Sequence, residues 1–545
     1  MLSRNVLSRH SRNTGRRLLS LVETAKSISR NNDKAEKIAS LVKIVATIGP
    51  SSEQYPVLSK VVQAGMRIMR INFSHATYEE ADLRTQNLLK CPGLAQSAER
   101  SNFNLRAIML DTQGPEIRTG SWVGGAKNLE LESGDAIVLS TDEAARMAQT
   151  KDRIWISYKD IGTTVKKGSE ILLDDGAIGL NVEDIKGSEV MCRIMNSGTL
   201  GNKKGVNIPG AKLTLPAMSE KDKKDFQWGV KNDIDYIAAS FIRKVSDITE
   251  IRTYIEKLFV DAGYSKDHPR PKIISKIEST EALENFDAIL KESDGIMVAR
   301  GDLGVEIPME TLTNVQKEIV RKCNLAGKPV IVATQMLESM QKSPRPTRAE
   351  CTDVANAVYD GADCVMLSGE SAQGKFPVVS VATMKRIVDQ AEVWLAKNPE
   401  MSQAIVVKPN KANGNTKDAL SWAVVEASKS FNAACIIVLS ERGSTAVNIS
   451  KFRPSVPIVC YVKNQKAGRL LQMYRGLHPV VAATELSIFT ADKFDMAVEN
   501  TAAMGFCSNG DNVIFVSQEK EGDNTTAASC MRICQLKNNK LTRLL

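Results

Sequence analysis

The sequence predicts an α/β protein: a TIM (β/α)8 barrel carrying a small inserted β domain and followed by a separate α/β domain. Three observations point there. Eight short apolar runs alternate with helical stretches between residue 43 and about residue 395. One interval, residues 114–214, is too long for a crossover and is Gly-rich and strand-like. A further α/β pattern then continues to the end of the chain.

The runs, in order, are Lys43–Pro50, Met66–Phe73, Arg106–Thr112, Asp235–Phe241, Lys272–Glu278, Gly295–Asp302, Pro329–Gln335 and Cys364–Glu370. Each is apolar and often β-branched, as strands buried on both faces of a parallel sheet must be. Stretches with helical periodicity, such as Asn314–Ala326 and Val378–Leu395, separate most of them. Eight such units make a closed barrel the expected solution. Turn signals at Gly124-Gly125, Ser133-Gly134, Asp174-Asp175-Gly176 and Gly198 break the long interval into short strands. An insertion in a loop of a rigid scaffold is tolerated and can serve as a lid. Beyond residue 395, Thr416–Ser430 reads as a helix and Ala434–Leu439, Ile458–Val462 and Asn512–Val516 read as strands. The expected organisation is a leader or basic tail over 1–32, the barrel over 33–113 and 215–392, the lid over 114–214, and a regulatory or oligomerising domain over 393–545.

Composition narrows the function. The chain has 545 residues and a net charge of +9, but residues 1–32 alone contribute six arginines and one lysine against one glutamate. The remaining body is nearly balanced and shows no basic stripe interleaved with aromatics, so no nucleic-acid partner is expected. No window holds the ~18 consecutive apolar residues of a membrane span. The ten cysteines include no CxxC pair and there are only four histidines, which argues against a zinc or histidine-based site and for reduced, buried thiols. Residues 1–32, rich in Arg and Ser and almost free of acid, have the composition of a mitochondrial import segment; a basic tail on a cytoplasmic protein is the alternative.

In this barrel class the site lies at the C-terminal ends of the strands. The second run closes with Arg70, Asn72 and Ser74 on one face, then His75. The third ends in Asp111-Thr112, the fifth in Lys276 and Glu278, the sixth in Arg300-Gly301-Asp302, the seventh in Thr334-Gln335 and the eighth in Ser368 and Glu370. One charged strand end is usually just meeting solvent. Six at one mouth form an inventory of cations, carboxylates and hydroxyls suited to a phosphorylated ligand held with a hard metal ion. Gly301 and Gly304 let backbone N–H groups approach an anion at a strand end, where a short helix would add its positive terminus.

With these residues assembled, the chain closely resembles pyruvate kinases from residue 41 to about 520. The stretches that carry the likeness include KIVATIGPSS, MRIMRINFSHA, LDTQGPEIRTG, KKGVNIPG, IISKIES, GIMVARGDLGVEIP, VATQMLESM and DCVMLSGESAQGKFPV. The resemblance implies a small β-barrel for the inserted domain, a homotetramer, and transfer of a phosphoryl group from phosphoenolpyruvate to ADP with Mg²⁺ (or Mn²⁺) and K⁺. It implies that Glu278 and Asp302 bind Mg²⁺, and that Asn72, Ser74, Asp111 and the carbonyl of Thr112 bind K⁺. Lys276 and Arg70 would stabilise the phosphoryl group in flight. Gly301, Asp302 and Thr334 would receive the carboxylate end of phosphoenolpyruvate, with Thr334 or nearby water protonating the enolpyruvate. Arg70, His75, Arg118 and Lys204 would contact nucleotide phosphates, and Glu116 is the residue associated with potassium dependence.

The likeness breaks in the C-terminal domain. Members regulated by a sugar phosphate carry a hydroxyl-rich loop where this chain has Ser440-Glu441-Arg442-Gly443-Ser444-Thr445, and Glu441 would repel a phosphate. The later effector loop is replaced by Ser517–Asn524, with three acidic residues and no arginine. Activation by fructose bisphosphate is therefore not expected. Two rivals remain: another Mg²⁺-dependent barrel enzyme acting on pyruvate or phosphoenolpyruvate, which would not need Arg118 and Lys204 on a lid, and a non-catalytic paralogue, which would not need Lys276, Glu278 and Asp302 together.

Overall fold

The computed structural model describes residues 40–93, 104–404, 406, 408, 409, 415–482, 491–520, 527–537 and 540–543. The import segment read over residues 1–32, and residues 521–524 of the second effector loop, lie outside them.

Eight parallel strands close into a barrel: Lys43–Thr47, Met66–Asn72, Ala107–Asp111, Tyr236–Ala239, Lys272–Ile277, Gly295–Ala299, Val330–Ala333 and Cys364–Leu367. Neighbours in the chain are neighbours in the barrel, and the first strand pairs with the eighth to complete the ring. Strand alternation sorts the side chains into two layers. Val45, Ile68, Met109, Ala238, Ile274, Met297 and Ile331 fill the barrel, while Ile44, Met69, Leu110, Ile237 and Ile273 pack outward against helices. Burial on both faces is why the runs are continuously apolar rather than alternating.

The surrounding helices start where polar residues can cap them. Thr77, Ser219 and Thr347 each accept the backbone N–H three residues on, and Glu80, Asp222 and Glu350 return the bond. The helix Leu312–Ala326 stops at Gly327, whose φ of 66° suits glycine.

Between the third and fourth strands, short strands build a six-stranded sheet and a two-stranded ribbon around their own apolar core, including Trp122, Ile154, Ile171 and Val190. After the barrel, a six-stranded sheet runs in the order Leu477–Val481, Ile458–Val462, Ala433–Leu439, Asn512–Lys520, Ala527–Lys537, Lys540–Arg543, the last two antiparallel. It meets the barrel at the end opposite the predicted site. Met473 completes the barrel interior there, and Lys466 and Arg469 both pair with Asp233 and Asp235. No helix among the described residues is long and apolar enough to cross a membrane.

Candidate active site

The inward-facing register that packs the barrel also builds the site. Two residues beyond Ile68, Met109, Ala238 and Ile274 on the same faces come Arg70, Asp111, Ser240 and Lys276, and Glu278 lies two further on from Lys276. Each interior layer of apolar side chains is thus crowned by a polar one. These residues meet. Arg70 donates through Nε to Asp111 Oδ2 at 2.6 Å and through Nη1 to Thr47 Oγ1 at 2.8 Å. Lys276 Nζ lies 2.8 Å from Ser240 Oγ, 3.3 Å from Asp111 Oδ1 and 2.8 Å from Glu278 Oε1.

Electrostatics follow from burial and these pairs. Burial opposes the charge on Lys276, yet Asp111 and Glu278 outweigh it and hold the ammonium protonated well past its ordinary range. Burial likewise works against the Asp111 carboxylate, and Arg70 with Lys276 overcomes it, keeping that group ionised. Glu278 is the exception. Burial raises its pKa more than Lys276 lowers it, and the nearby Asp302 raises it further. Lys276 and the Phe241 N–H compensate a charge there only in part.

Above this floor lies a cleft of about 400 Å³ between barrel and insert. Arg70, Asn72, Ser74, Lys276, Glu278 and Asp302 line it from the barrel. His75 lines it too, while Glu116, Arg118 and Lys204 face it from the insert side. Arg118 pairs with Glu116 and donates to Lys203 O at 2.8 Å, and Lys204 Nζ sits 3.0 Å from Asp174 Oδ1.

Four of the residues to which the resemblance assigns roles do not line the cleft. Asp111 and Thr112 are buried beneath it, with Ser240 Oγ donating to Thr112 O at 2.6 Å. Gly301 and Thr334 are occupied with each other: the Gly301 N–H donates to Thr334 Oγ1 at 2.8 Å, and the Thr334 hydroxyl donates to Ala333 O at 2.6 Å. Thr334 holds a φ of 67° and Gln335 one of 55°, left-handed backbone that costs about 1–3 kcal/mol each in non-glycine residues. Arg300 secures that turn, donating to Thr334 O at 2.6 Å while pairing with Asp353. The expected short helix is present as Arg300–Glu306. Glu370 does not join the site. It is fully buried and accepts the N–H groups of Leu337 and Ser368, so its carboxylate braces the turns after the seventh and eighth strands.

Sequence reasoning missed the residues just after the fourth strand. Ser240 bridges Lys276 and Thr112, and the Phe241 N–H donates to Glu278 Oε2 at 2.5 Å from a residue with φ of 55°. Arg243 donates to the carbonyls of Leu213, Leu215 and Pro216, where the insert returns to the barrel. None of the three is a charged strand end. Ser240 was visible as a polar residue closing an apolar run, but a left-handed phenylalanine leaves no compositional trace.

The donor set suits hard cations. Glu278 Oε2 is held by Phe241, while Oε1 faces Lys276 but is out of line for a hydrogen bond and has no other partner. Among the described residues no three His, Cys, Asp or Glu side chains are grouped to hold a metal. Glu278 with Asp302 therefore offers a two-carboxylate site that ligand oxygens and water must complete, as Mg²⁺ accepts. For a monovalent ion, the Asn72 amide oxygen, Ser74 hydroxyl, Asp111 carboxylate and Thr112 carbonyl are an all-oxygen set with one formal charge.

The chain matches the family model "Pyruvate kinase, barrel domain" over residues 39–381 and "Pyruvate kinase, alpha/beta domain" over residues 418–534. It is 42% identical over 478 residues to a pyruvate kinase of Bacillus licheniformis, covering 87% of this chain and 77% of that one. To a pyruvate kinase of Clostridium acetobutylicum it is 41% identical over 476 residues, covering 87% and 95%. A crystal structure of a pyruvate kinase from Cryptosporidium parvum superimposes with a TM-score of 0.80 at 37% identity, covering 91% of this chain and 96% of the other. The chain is a phosphotransferase and belongs to the pyruvate kinase family.

Proposed function

We propose that the enzyme transfers the phosphoryl group of phosphoenolpyruvate to ADP, giving pyruvate and ATP, in the last step of glycolysis. The observation that carries this reading is the convergence of Arg70, Lys276, Glu278 and Asp302 on one cleft, opposite Arg118 and Lys204. A loose phosphoryl-transfer transition state spreads negative charge over its outer oxygens, so catalysis is positioning plus charge stabilisation. Lys276, held protonated on the barrel floor, and Arg70, fixed by Asp111 and Thr47, are two such charges with little freedom to reorganise. Glu278 and Asp302 would hold Mg²⁺ (or Mn²⁺), and Asn72, Ser74, Asp111 and Thr112 would hold K⁺, near Glu116. Bound there, the cations supply further positive charge to the oxygens of the substrate.

Gly301, Asp302 and Thr334 receive the carboxylate end of phosphoenolpyruvate in this reading, which requires the Gly301 N–H to exchange Thr334 Oγ1 for substrate. The Thr334 hydroxyl proton is committed to Ala333 O, which favours a water beside Thr334 as the donor to the enolpyruvate carbon. His75, Arg118 and Lys204, with Arg70, take the nucleotide phosphates.

Lys276→Met is the test. It is expected to fold and bind phosphoenolpyruvate while kcat falls by roughly 10²–10³-fold, measured by pyruvate formation with ADP; near-normal turnover would refute the role. Omitting K⁺ or Mg²⁺ from the wild-type assay should each remove most activity. The homotetramer is carried over from the family and is read by light scattering on the purified enzyme. The import reading of residues 1–32 rests on composition alone. The Bacillus and Clostridium relatives are bacterial and lend it no support, favouring the cytoplasmic alternative. Organellar localisation of a reporter bearing residues 1–40 would restore it.

A further inference from the structure

The turn after the fourth strand touches two groups of residues to which different tasks fall. Ser240 opens it, directly after the strand Tyr236–Ala239, and is buried at 3% exposure. Its Oγ makes three contacts. It accepts from Lys276 Nζ at 2.8 Å, donates to Thr112 O at 2.6 Å and lies 3.4 Å from Asp111 Oδ1. A hydroxyl has one proton and two lone pairs. The short contact to Thr112 O fixes where that proton goes, and the ammonium takes a lone pair.

The backbone makes the same connection. Ser240 N–H donates to Thr112 Oγ1 at 3.0 Å, while Thr112 N–H donates to Ala238 O at 3.1 Å. The end of the fourth strand thus clasps Thr112 by its amide, its hydroxyl and its carbonyl. Of these three contacts, the one to the carbonyl depends on the Ser240 side chain. The turns after the third and fourth strands approach closely because Gly114 has no side chain. A Cβ there would stand 2.9 Å from Ser240 Cβ and 2.8 Å from Phe241 Cδ2, and its φ of 76° also favours glycine.

With Asn72, Ser74, Asp111 and Thr112 taken as the K⁺ ligands, the reading on which this inference rests, Ser240 stands between two sites. A carbonyl oxygen has two lone pairs, so Thr112 O can keep the Ser240 proton on one and face a cation with the other. Lys276 belongs to the phosphoryl side, yet Ser240 and Asp111 contact it as well. We propose that Ser240 is a positioning residue that couples the two: one hydroxyl orients the Thr112 carbonyl for the monovalent ion and the Lys276 ammonium for the substrate. Linked hydrogen bonds polarise one another in a low-dielectric interior, so losing the middle member weakens both ends. Glu278 is outside this coupling. Phe241 holds it through a backbone N–H, which no substitution at Ser240 removes.

Thermal midpoints of the full-length enzyme test this, titrated with KCl at an ionic strength held constant by tetramethylammonium chloride, and separately with MnCl₂. The wild type should show a saturable rise with each ion. In Ser240→Ala the K⁺ concentration giving half the rise should increase roughly 3–10-fold, as the loss of one hydrogen bond implies. The corresponding Mn²⁺ concentration should stay within about twofold. In steady-state assays at saturating K⁺, kcat should fall about tenfold. Ser240→Thr keeps the hydroxyl and should return both readouts toward wild type. Should Ser240→Ala not fold, Ser240→Cys, with a far weaker donor, carries the same expectation. A wild type whose midpoint is indifferent to K⁺ overturns the cation assignment and this proposal with it. Three results overturn the coupling alone in a responsive enzyme: unchanged K⁺ dependence in Ser240→Ala, equal weakening toward both ions, or a folded Ser240→Thr that behaves like Ser240→Ala.

Discussion

Glu278 is placed where a carboxylate is least comfortable. It is about 1% exposed, near Asp302, and its two oxygens find one backbone N–H and one ammonium. A carboxylate kept in such a place for stability would be better replaced by an uncharged group, since burying it raises its pKa and so costs folding energy above its ordinary titration range. Glu278→Gln keeps the size and the acceptor for Phe241 but removes the charge that a divalent ion needs. The expected outcome is a fall in kcat of roughly 10²–10³-fold with a thermal midpoint equal to or above that of the wild type. Retained turnover would show that the charge is dispensable; unfolding would show that it is structural. Asp111 carries the opposite sign of effect. Arg70 and Lys276 surround it, so Asp111→Asn should loosen both cations together.

At the scale of elements, the lid is fastened at few points, and each can be tested. Arg243 holds three carbonyls of the returning segment and is itself backed by Asp247 and Asn285. Asn207 Nδ2 donates to Glu306 Oε1 at 3.2 Å, joining the lid to the helix that bears Asp302. Arg243→Ala takes a buried cation away from the buried Asp247 carboxylate and is expected to destabilise by about 3 kcal/mol in chemical denaturation. Asn207→Ala, at a half-buried surface contact, should spare stability and raise the KM for ADP more than that for phosphoenolpyruvate. Equal effects on the two substrates would deny the lid this role. These fastenings were not legible in the sequence, although the elements they join were. Each apolar run of the barrel appears as a strand, trimmed at its end. Gly295–Asp302 stops at Ala299 because Arg300 already begins a helix, and Pro329–Gln335 stops at Ala333 because Thr334 turns left-handed. Charged strand ends such as Lys276 announced themselves by type and register. Ser240, Phe241 and Arg243 did not, because their roles depend on backbone direction and on carbonyls that no motif marks. In the C-terminal sheet, Leu477–Val481 was overlooked because His478 and Pro479 interrupt its apolar pattern.

For the molecule as a whole, the seam between barrel and C-terminal unit sets the response to acid. Asp233 and Asp235 meet Lys466 and Arg469 there. Burial works against the Asp233 carboxylate, but Lys466, His268 and Arg469 together more than compensate and the net shift is downward, so its contribution persists until pH falls below about 4. His478 responds earlier. It lies against Phe506 with ring centroids 4.9 Å apart, and burial with Lys43 and Arg67 depresses its pKa well below 6.5. Above about pH 6.5 both folded and unfolded states carry it neutral, and its native placement costs nothing electrostatically. As pH falls below that value the unfolded chain takes up a proton that the folded chain refuses. Stability then declines by up to about 1.4 kcal/mol per pH unit from this one group. Denaturation free energies measured from pH 7 to pH 5.5 should therefore fall in the wild type, and in His478→Leu the slope should be shallower by about one proton. Equal slopes would mean that His478 is protonated in the folded protein, which would require a counter-charge beside Lys43 and Arg67.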